Sequence, residues 1–207
     1  MDIGGFVNRR KKGFEQQLLM LKELANNPRD MGTLCPSSDA LANKMAEALS
    51  PRMMKKGMFV EIGAGTGPVT SALIRRGVPT ERLMVIEKSP VLAESLSKRF
   101  PDVDVRCRGA EELGSCLEGF PPVRAIISSL PFRSLPEAVS LAIMSEVERA
   151  LSCGGIFVQF TYALIGEMPF IPASFRKVRS SVVLLNIPPA KVEVFMKPKR
   201  MEPEGCQ

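Results

Sequence analysis

The sequence predicts an α/β protein: a doubly wound, mostly parallel sheet with helices on both faces, one strand reversed by a C-terminal hairpin, and a helical extension at the N-terminus. Three observations carry this. First, apolar runs alternate with helix-period segments from about residue 57 onward. Second, the run Phe59-Val60-Glu61-Ile62-Gly63-Ala64-Gly65-Thr66-Gly67 reads as a buried strand, a tight glycine turn and the start of a helix. Third, two β-rich runs near the end, Val178–Ile187 and Lys191–Met196, flank Pro188-Pro189-Ala190, which suits an antiparallel hairpin.

Taken in order, strands are expected at 57–62, 82–87, 103–107, 123–129 and 156–161, and helices near 67–76, 89–99, 110–118 and 136–152. Gly154-Gly155 would mark the turn out of the last helix. Ahead of these lies an extension, residues 1–56. It holds a helix over 14–26, with Phe14, Leu18, Leu21 and Leu24 on one side, and a second helix from Ser37 or Ser38 carrying Leu41, Met45 and Leu49. The main domain spans 57–200 and a tail 201–207.

The 207 residues suffice for one core. No apolar run reaches the roughly 20 residues of a membrane span, and no signal-peptide core is seen. Five scattered cysteines without a C-x-x-C pair suggest neither a disulfide framework nor a zinc site, and fit a reducing cytoplasm. Histidine is absent, which excludes imidazole bases and His-ligated metals. The net charge of +6 favours anionic partners, nucleic acid or an anionic membrane surface, and equally fits a basic solubilising surface.

The glycine turn is the chemical core of the chain. Glu61 ends one strand, and Glu87 ends the next, twenty residues past Gly67. Glycines let a backbone approach a ligand closely, and an acid at a second strand end suits a ribose with two free hydroxyls. Pro68 stands where a third spaced glycine of a dinucleotide fingerprint would fall, and no G-x-x-x-x-G-K-[ST] loop occurs. The pattern E-x-G-x-G-x-G resembles motif I of the class I S-adenosylmethionine (SAM) methyltransferases, whose sheet is Rossmann-like and seven-stranded. That resemblance implies SAM as cofactor. Glu61, Gly63, Ala64, Gly65 and Gly67 would hold its methionine end, and Glu87, with Lys88 beside it, its ribose. Ala110, Glu111 and Ser128 would lie near the remainder. Glu111 reads equally as an acid favoured by a helix N-terminus.

Further segments resemble bacterial phospholipid N-methyltransferases of the PmtA type: Gly32–Ser38 with the helix that follows, Ser128-Ser129-Leu130-Pro131-Phe132, Gln159-Phe160-Thr161-Tyr162 and Asn186–Val192. Ala163 stands where that family has glycine. The resemblance implies stepwise methylation of phosphatidylethanolamine toward phosphatidylcholine by a monomer without a metal. The enzyme would sit peripherally on the cytoplasmic face of the bacterial inner membrane. Ser129, Phe132 and Tyr162 would then receive the amine.

Two further readings concern the membrane. Phe6, Phe14 and Leu18 beside Arg9, Arg10, Lys11 and Lys12 suit an interfacial segment, or a basic tail before a helix packed on the core. The apolar run Met168–Pro172 followed by Arg176, Lys177 and Arg179, with Arg133 as a lesser candidate, suits a lipid-dipping loop with phosphate ligands, or an ordinary exposed loop. An RNA adenine-N6 dimethyltransferase is the alternative function, with Ser129-Leu130-Pro131-Phe132 in the frame of an N-L-P-[YF] motif and Phe132 stacking on a flipped base. A binding module of the same fold without catalysis is a third.

Overall fold

The β/α alternation is realised as one seven-stranded sheet: β1 (Met58–Ile62), β2 (Leu83–Ile86), β3 (Asp104–Arg106), β4 (Val123–Ser128), β5 (Leu151–Thr161), β6 (Arg176–Val183) and β7 (Ala190–Met196). A computed structural model describes residues 36–186 and 188–198. The strand order is β3-β2-β1-β4-β5-β7-β6. β1 to β5 are parallel, whereas β7 runs antiparallel to both β5 and β6. The mixed sheet with one reversed strand is as expected. The helix over 14–26, the basic block at 9–12 with Phe6, Phe14 and Leu18, and the tail from 201 lie outside the described residues.

Parallel strands covered on both faces read as continuous apolar runs, and β1 and β2 are buried at every position. Alternate side chains feed two cores. Phe59, Leu83, Val85, Ala125, Ile127 and Val158 face α1 (Pro36–Ala46), α2 (Pro68–Arg75) and α3 (Pro90–Arg99). Val60, Met84, Ile126 and Phe157 face α4 (Leu113–Cys116) and α5 (Glu137–Ala150). Proline opens both α2 and α3, where its missing N–H costs no helical bond. The Ser89 hydroxyl caps α3 by accepting the Leu92 N–H. The helix expected from Ser37 or Ser38 begins at Pro36, and its Leu41, Ala42 and Met45 are buried in the first core.

Two expectations need correction. Gly154-Gly155 do not lie in the turn out of the last helix: α5 ends at Ala150, and β5 begins at Leu151 and runs through both glycines. The β4–β5 register shifts in this stretch, Gly154 takes φ +78°, and its N–H donates to Lys197 O. The pair is therefore an irregularity inside a long strand. The expected helix 110–118 is a 3-10 turn over Ala110–Glu112 followed by the short α4.

Gly67 shows how tightly the glycine turn is packed. Its φ is +84°, and a Cβ there would sit 2.7 Å from Leu96 Cδ2 and 2.9 Å from the Phe100 ring. Gly67→Ala combines left-handed strain with overpacking, about 2–4 kcal/mol together. Thermal melts of this variant should fall by roughly 5–15 °C. Gly77→Ala, also at positive φ but with open space around the added atom, should cost markedly less. Equal losses would show that packing against α3 contributes nothing.

Candidate active site

The parallel strands end along one edge of the sheet. Between β1 and β4 the order of strand addition reverses, the point at which sheets of this kind bind ligands in a crevice beyond their carboxyl ends. The two sequence-predicted acids stand beside it. Glu61, the penultimate residue of β1, is fully buried on the α2 side. The Thr70 hydroxyl donates to its Oε2 at 2.6 Å, while Oε1 has no partner. Burial pushes this carboxyl up to about 7, against the hydrogen bonds from Thr70, with the nearby Glu87 charge adding to the rise.

Glu87 follows the last residue of β2 and is 8% exposed. Its Oε2 accepts the Gly65 N–H at 2.9 Å and its Oε1 the Ser89 N–H at 2.9 Å. This carboxylate therefore ties the glycine turn of β1 to the start of α3. Within the turn, the Gly67 N–H donates to Ala64 O. Gly63 and Gly65 play different parts. A Cβ on Gly63 would collide with Leu130 Cδ2 at 2.4 Å, whereas one on Gly65, at φ +59°, would meet nothing within 4 Å. Gly63 makes room for a neighbouring loop, and Gly65 lines open space.

Ala110 is buried just past β3, beside Glu111. Lys88 is exposed and pairs with Glu111, Nζ to Oε1 at 3.1 Å. Glu111 accepts a hydrogen bond from its own backbone N–H and another from Lys88, which together hold its carboxyl below the ordinary range. Lys88 thus meets an acid of the chain itself rather than the glycine crevice.

On the acceptor side several assignments change. Ser128 is fully buried, and its Oγ accepts the Leu130 N–H at 3.2 Å, so its side chain shapes the loop. Ser129 is half-buried, and its N–H extends the β1–β4 ladder to Ile62 O. Phe132 is only 3% exposed and packs edge-to-face on Phe157 in the second core. Its ring, packed in this core, has no face to offer a base. Tyr162, one residue past β5, is half-buried and packs edge-to-face on Phe160 at 5.5 Å.

The segment after Tyr162 does not form an apolar tip at Met168–Pro172. Met168 is buried, and Phe170 and Ile171 pack on the second core. The exposed apolar residues of this segment are Leu164 and Ile165, the latter 91% exposed, and Leu184 and Leu185 are exposed at the turn after β6. Arg133 donates to Glu167 O and so anchors this segment. Arg176, Lys177 and Arg179 lie on β6 level with Ile156–Val158 of β5. That is roughly 10–17 Å below the carboxyl edge at ~3.3 Å per residue. Lys177 pairs with Glu193.

Sequence reading missed Thr70 as a partner of Glu61; the available signal was a hydroxyl residue three positions past the last motif glycine. The residues at the crevice fit SAM. A buried oxygen of Glu61 lacks a donor, which the cofactor's ammonium would supply. Gly65 leaves room beside it, and each Glu87 oxygen keeps a lone pair for a ribose hydroxyl. Among the described residues, no group of three or more His, Cys, Asp or Glu side chains could hold a metal ion.

No protein-family model matches the chain. A curated relative, the ornithine lipid N-methyltransferase of Singulisphaera acidiphila, is 29% identical over 182 residues, covering 83% of this chain and 91% of the relative. Among solved structures, the 1,6-didemethyltoxoflavin-N1-methyltransferase of Burkholderia thailandensis, with its substrate and S-adenosylhomocysteine bound, superposes with a TM-score of 0.62 at 14% identity over 90% of each chain. The TehB-like SAM-dependent methyltransferase of Corynebacterium glutamicum gives 0.59 at 17% identity, over 88% of this chain and 97% of that one. The N-methyltransferase NodS of Bradyrhizobium japonicum, in complex with S-adenosylhomocysteine, gives 0.59 at 14%, over 76% and 86%. With the strand order and the reversed β7, these likenesses establish that the chain has the class I SAM-dependent methyltransferase fold.

Proposed function

We propose that this protein is a SAM-dependent N-methyltransferase acting on the amine headgroup of a phospholipid, carrying phosphatidylethanolamine toward phosphatidylcholine. It would work peripherally on the cytoplasmic face of a bacterial inner membrane. The observation that carries the reading is the crevice itself: two buried acids at neighbouring strand ends, with an open glycine between them. The relative named for ornithine lipid supports an amine-bearing lipid as acceptor. So do Leu164, Ile165, Leu184 and Leu185, exposed on two loops that leave the carboxyl edge of the sheet, where apolar tips suit a lipid surface. The buried ring of Phe132 removes the feature that favoured RNA.

Methyl transfer needs an unprotonated amine held in line with the donor's methyl group, and SAM supplies a sulfonium leaving group when bound. With no histidine in the chain, the residues left to this task are few. Tyr162 stands at the end of β5 on the acceptor side and would orient the amine. Its ring would also favour a methylated ammonium by cation–π contact.

Radiolabelled SAM incubated with anionic liposomes containing phosphatidylethanolamine, with matching liposomes containing ornithine lipid, and with total RNA should label phosphatidylethanolamine. Replacing Ile165, Leu184 and Leu185 by Glu should cut flotation with these vesicles severalfold. Label in ornithine lipid alone would change the substrate, and label in RNA alone would overturn the lipid reading. Tyr162→Phe should lower kcat by an order of magnitude or more at unchanged S-adenosylhomocysteine affinity; unchanged turnover would remove the hydroxyl from the reaction.

Glu61 makes binding pH-dependent. A carboxyl raised from 4.5 to about 7 by folding contributes stability that is full below pH 4.5, declines as pH rises, and is gone above about 7. The total is about 3 kcal/mol, at about 1.4 kcal/mol for each pH unit. The cofactor's ammonium favours the ionised form. S-adenosylhomocysteine should therefore bind more weakly below pH 7 and release a proton on binding there. Calorimetry in buffers of different ionisation enthalpy reads that proton. Glu61→Gln should abolish the release, weaken binding at pH 8, and raise the melting temperature at that pH.

A further inference from the structure

Leu130 is held by two buried side chains at once. Its N–H is accepted by Ser128 Oγ at 3.2 Å, and its carbonyl accepts from Gln159 Nε2 at 2.8 Å. The same Nε2 donates to Phe160 O at 2.8 Å, so both amide hydrogens of Gln159 are used. Both acceptors are carbonyls, so the amide has one workable orientation. Reversing it would press its oxygen against two others.

The other end of the loop is equally fixed. Leu130's side chain occupies the space that a Cβ on Gly63 would need, and the preceding Ser129 N–H donates to Ile62 O. The Ser129–Leu130 segment is therefore gripped between the cofactor turn and β5. Among the described hydrogen bonds, none is accepted by the Ser129 carbonyl or involves the Ser129 hydroxyl. Ser129 is half-buried at the carboxyl edge.

Gln159 holds this segment at a cost. It is 1% exposed, beside Phe157 on the second-core face, and its Oε1 has no donor. Directly across the β5–β7 ladder, Glu193 is equally buried and its Oε2 also lacks one. An apolar residue at 159 would incur no such desolvation penalty. The two hydrogen bonds that this amide donates are offset by its own unmet oxygen, so its net contribution to stability is small and its definite effect is the placement of Leu130.

We propose that Gln159, which holds the Leu130–Pro131 peptide by its carbonyl, is a positioning residue that together with Ser128, which holds the Ser129–Leu130 peptide by its N–H, aims the Ser129 carbonyl to accept the N–H of the incoming amine and turn its lone pair toward the methyl donor. This rests on the N-methyltransferase reading but not on the lipid: any primary or secondary amine has the N–H required.

The test is Gln159→Leu in the full chain, assayed with whichever acceptor the wild type labels. The melting temperature should move by only a few degrees, because the two lost hydrogen bonds offset the relief of the unmet Oε1, and S-adenosylhomocysteine affinity should stay within about threefold. kcat should fall by about 10–100-fold, because small misplacements of reacting groups have effects of this size. A kcat within twofold of wild type overturns the proposal. So does a loss of cofactor affinity as large as the loss of kcat, which would make Gln159 a support of the glycine turn. If Gln159→Leu does not fold, Ser128→Ala releases the other half of the grip, and the same split decides. Label in RNA instead of lipid overturns the lipid reading and leaves this test intact; a wild type that labels no acceptor overturns both.

Discussion

A carboxylate without a counter-charge, buried at the end of the central strand, governs the arrangement around it. Glu61 sits where β1 gives way to the glycine turn, out of reach of water, with one oxygen satisfied by Thr70 and the other by nothing. Glu87, close enough to raise its proton affinity, is occupied with holding that turn shut through the Gly65 N–H. Two acids so near each other are poor company in a protein at rest and well suited to a cationic ligand. The fold accepts a weakened core at this point, and the rest of the carboxyl edge is built against it: α2 supplies Thr70, α3 supplies the walls of Gly67, and β4 sends Leu130 over Gly63.

The acceptor side is closed by a segment that clings to the sheet. From Tyr162 to Phe175 the chain has no regular structure, yet Met168 and Phe175 are buried, and Phe170 takes φ +64°, a conformation that a bulky residue adopts at a cost. Two cations tack it down through carbonyls, Lys191 at Gly166 and Arg133 at Glu167. Lys191 is itself only 7% exposed and balances Glu193. This segment leaves Leu164 and Ile165 outside while drawing in the aromatic that follows.

Patterns set by local physics were legible in the sequence. Buried parallel strands announce themselves as unbroken apolar runs, and the first four were placed to within a residue at each end. The glycine turn and its acids were legible because few other arrangements combine that spacing with strand ends. What failed depended on which way a side chain turns. Phe132 follows a proline, and the sequence does not say whether a ring beyond a turn points to the crevice or to the core. Met168–Pro172 has the same composition whether it meets lipid or β5. The cations of β6 looked like ligands because their sequence neighbours are apolar; only the register against β7 shows how far they lie from the edge. Gly154-Gly155 looked like a stop signal, yet a glycine at positive φ serves a strand irregularity as well as a turn.

That misplaced charge has another reading. Among the described residues β6 is the outermost strand of the sheet, and one side of its backbone pairs with no other strand. Such an edge invites pairing with the next molecule. Here it carries Arg176, Lys177 and Arg179, and its ladder is broken between Lys177 and Arg179, with exposed Val178 as the extra residue. Repulsion between like charges and a kinked backbone both work against a second strand docking in register. Charge and kink of this kind are the devices by which sheet edges avoid templating strand pairing, and they stand here on the strand whose far end leads into exposed Leu184 and Leu185.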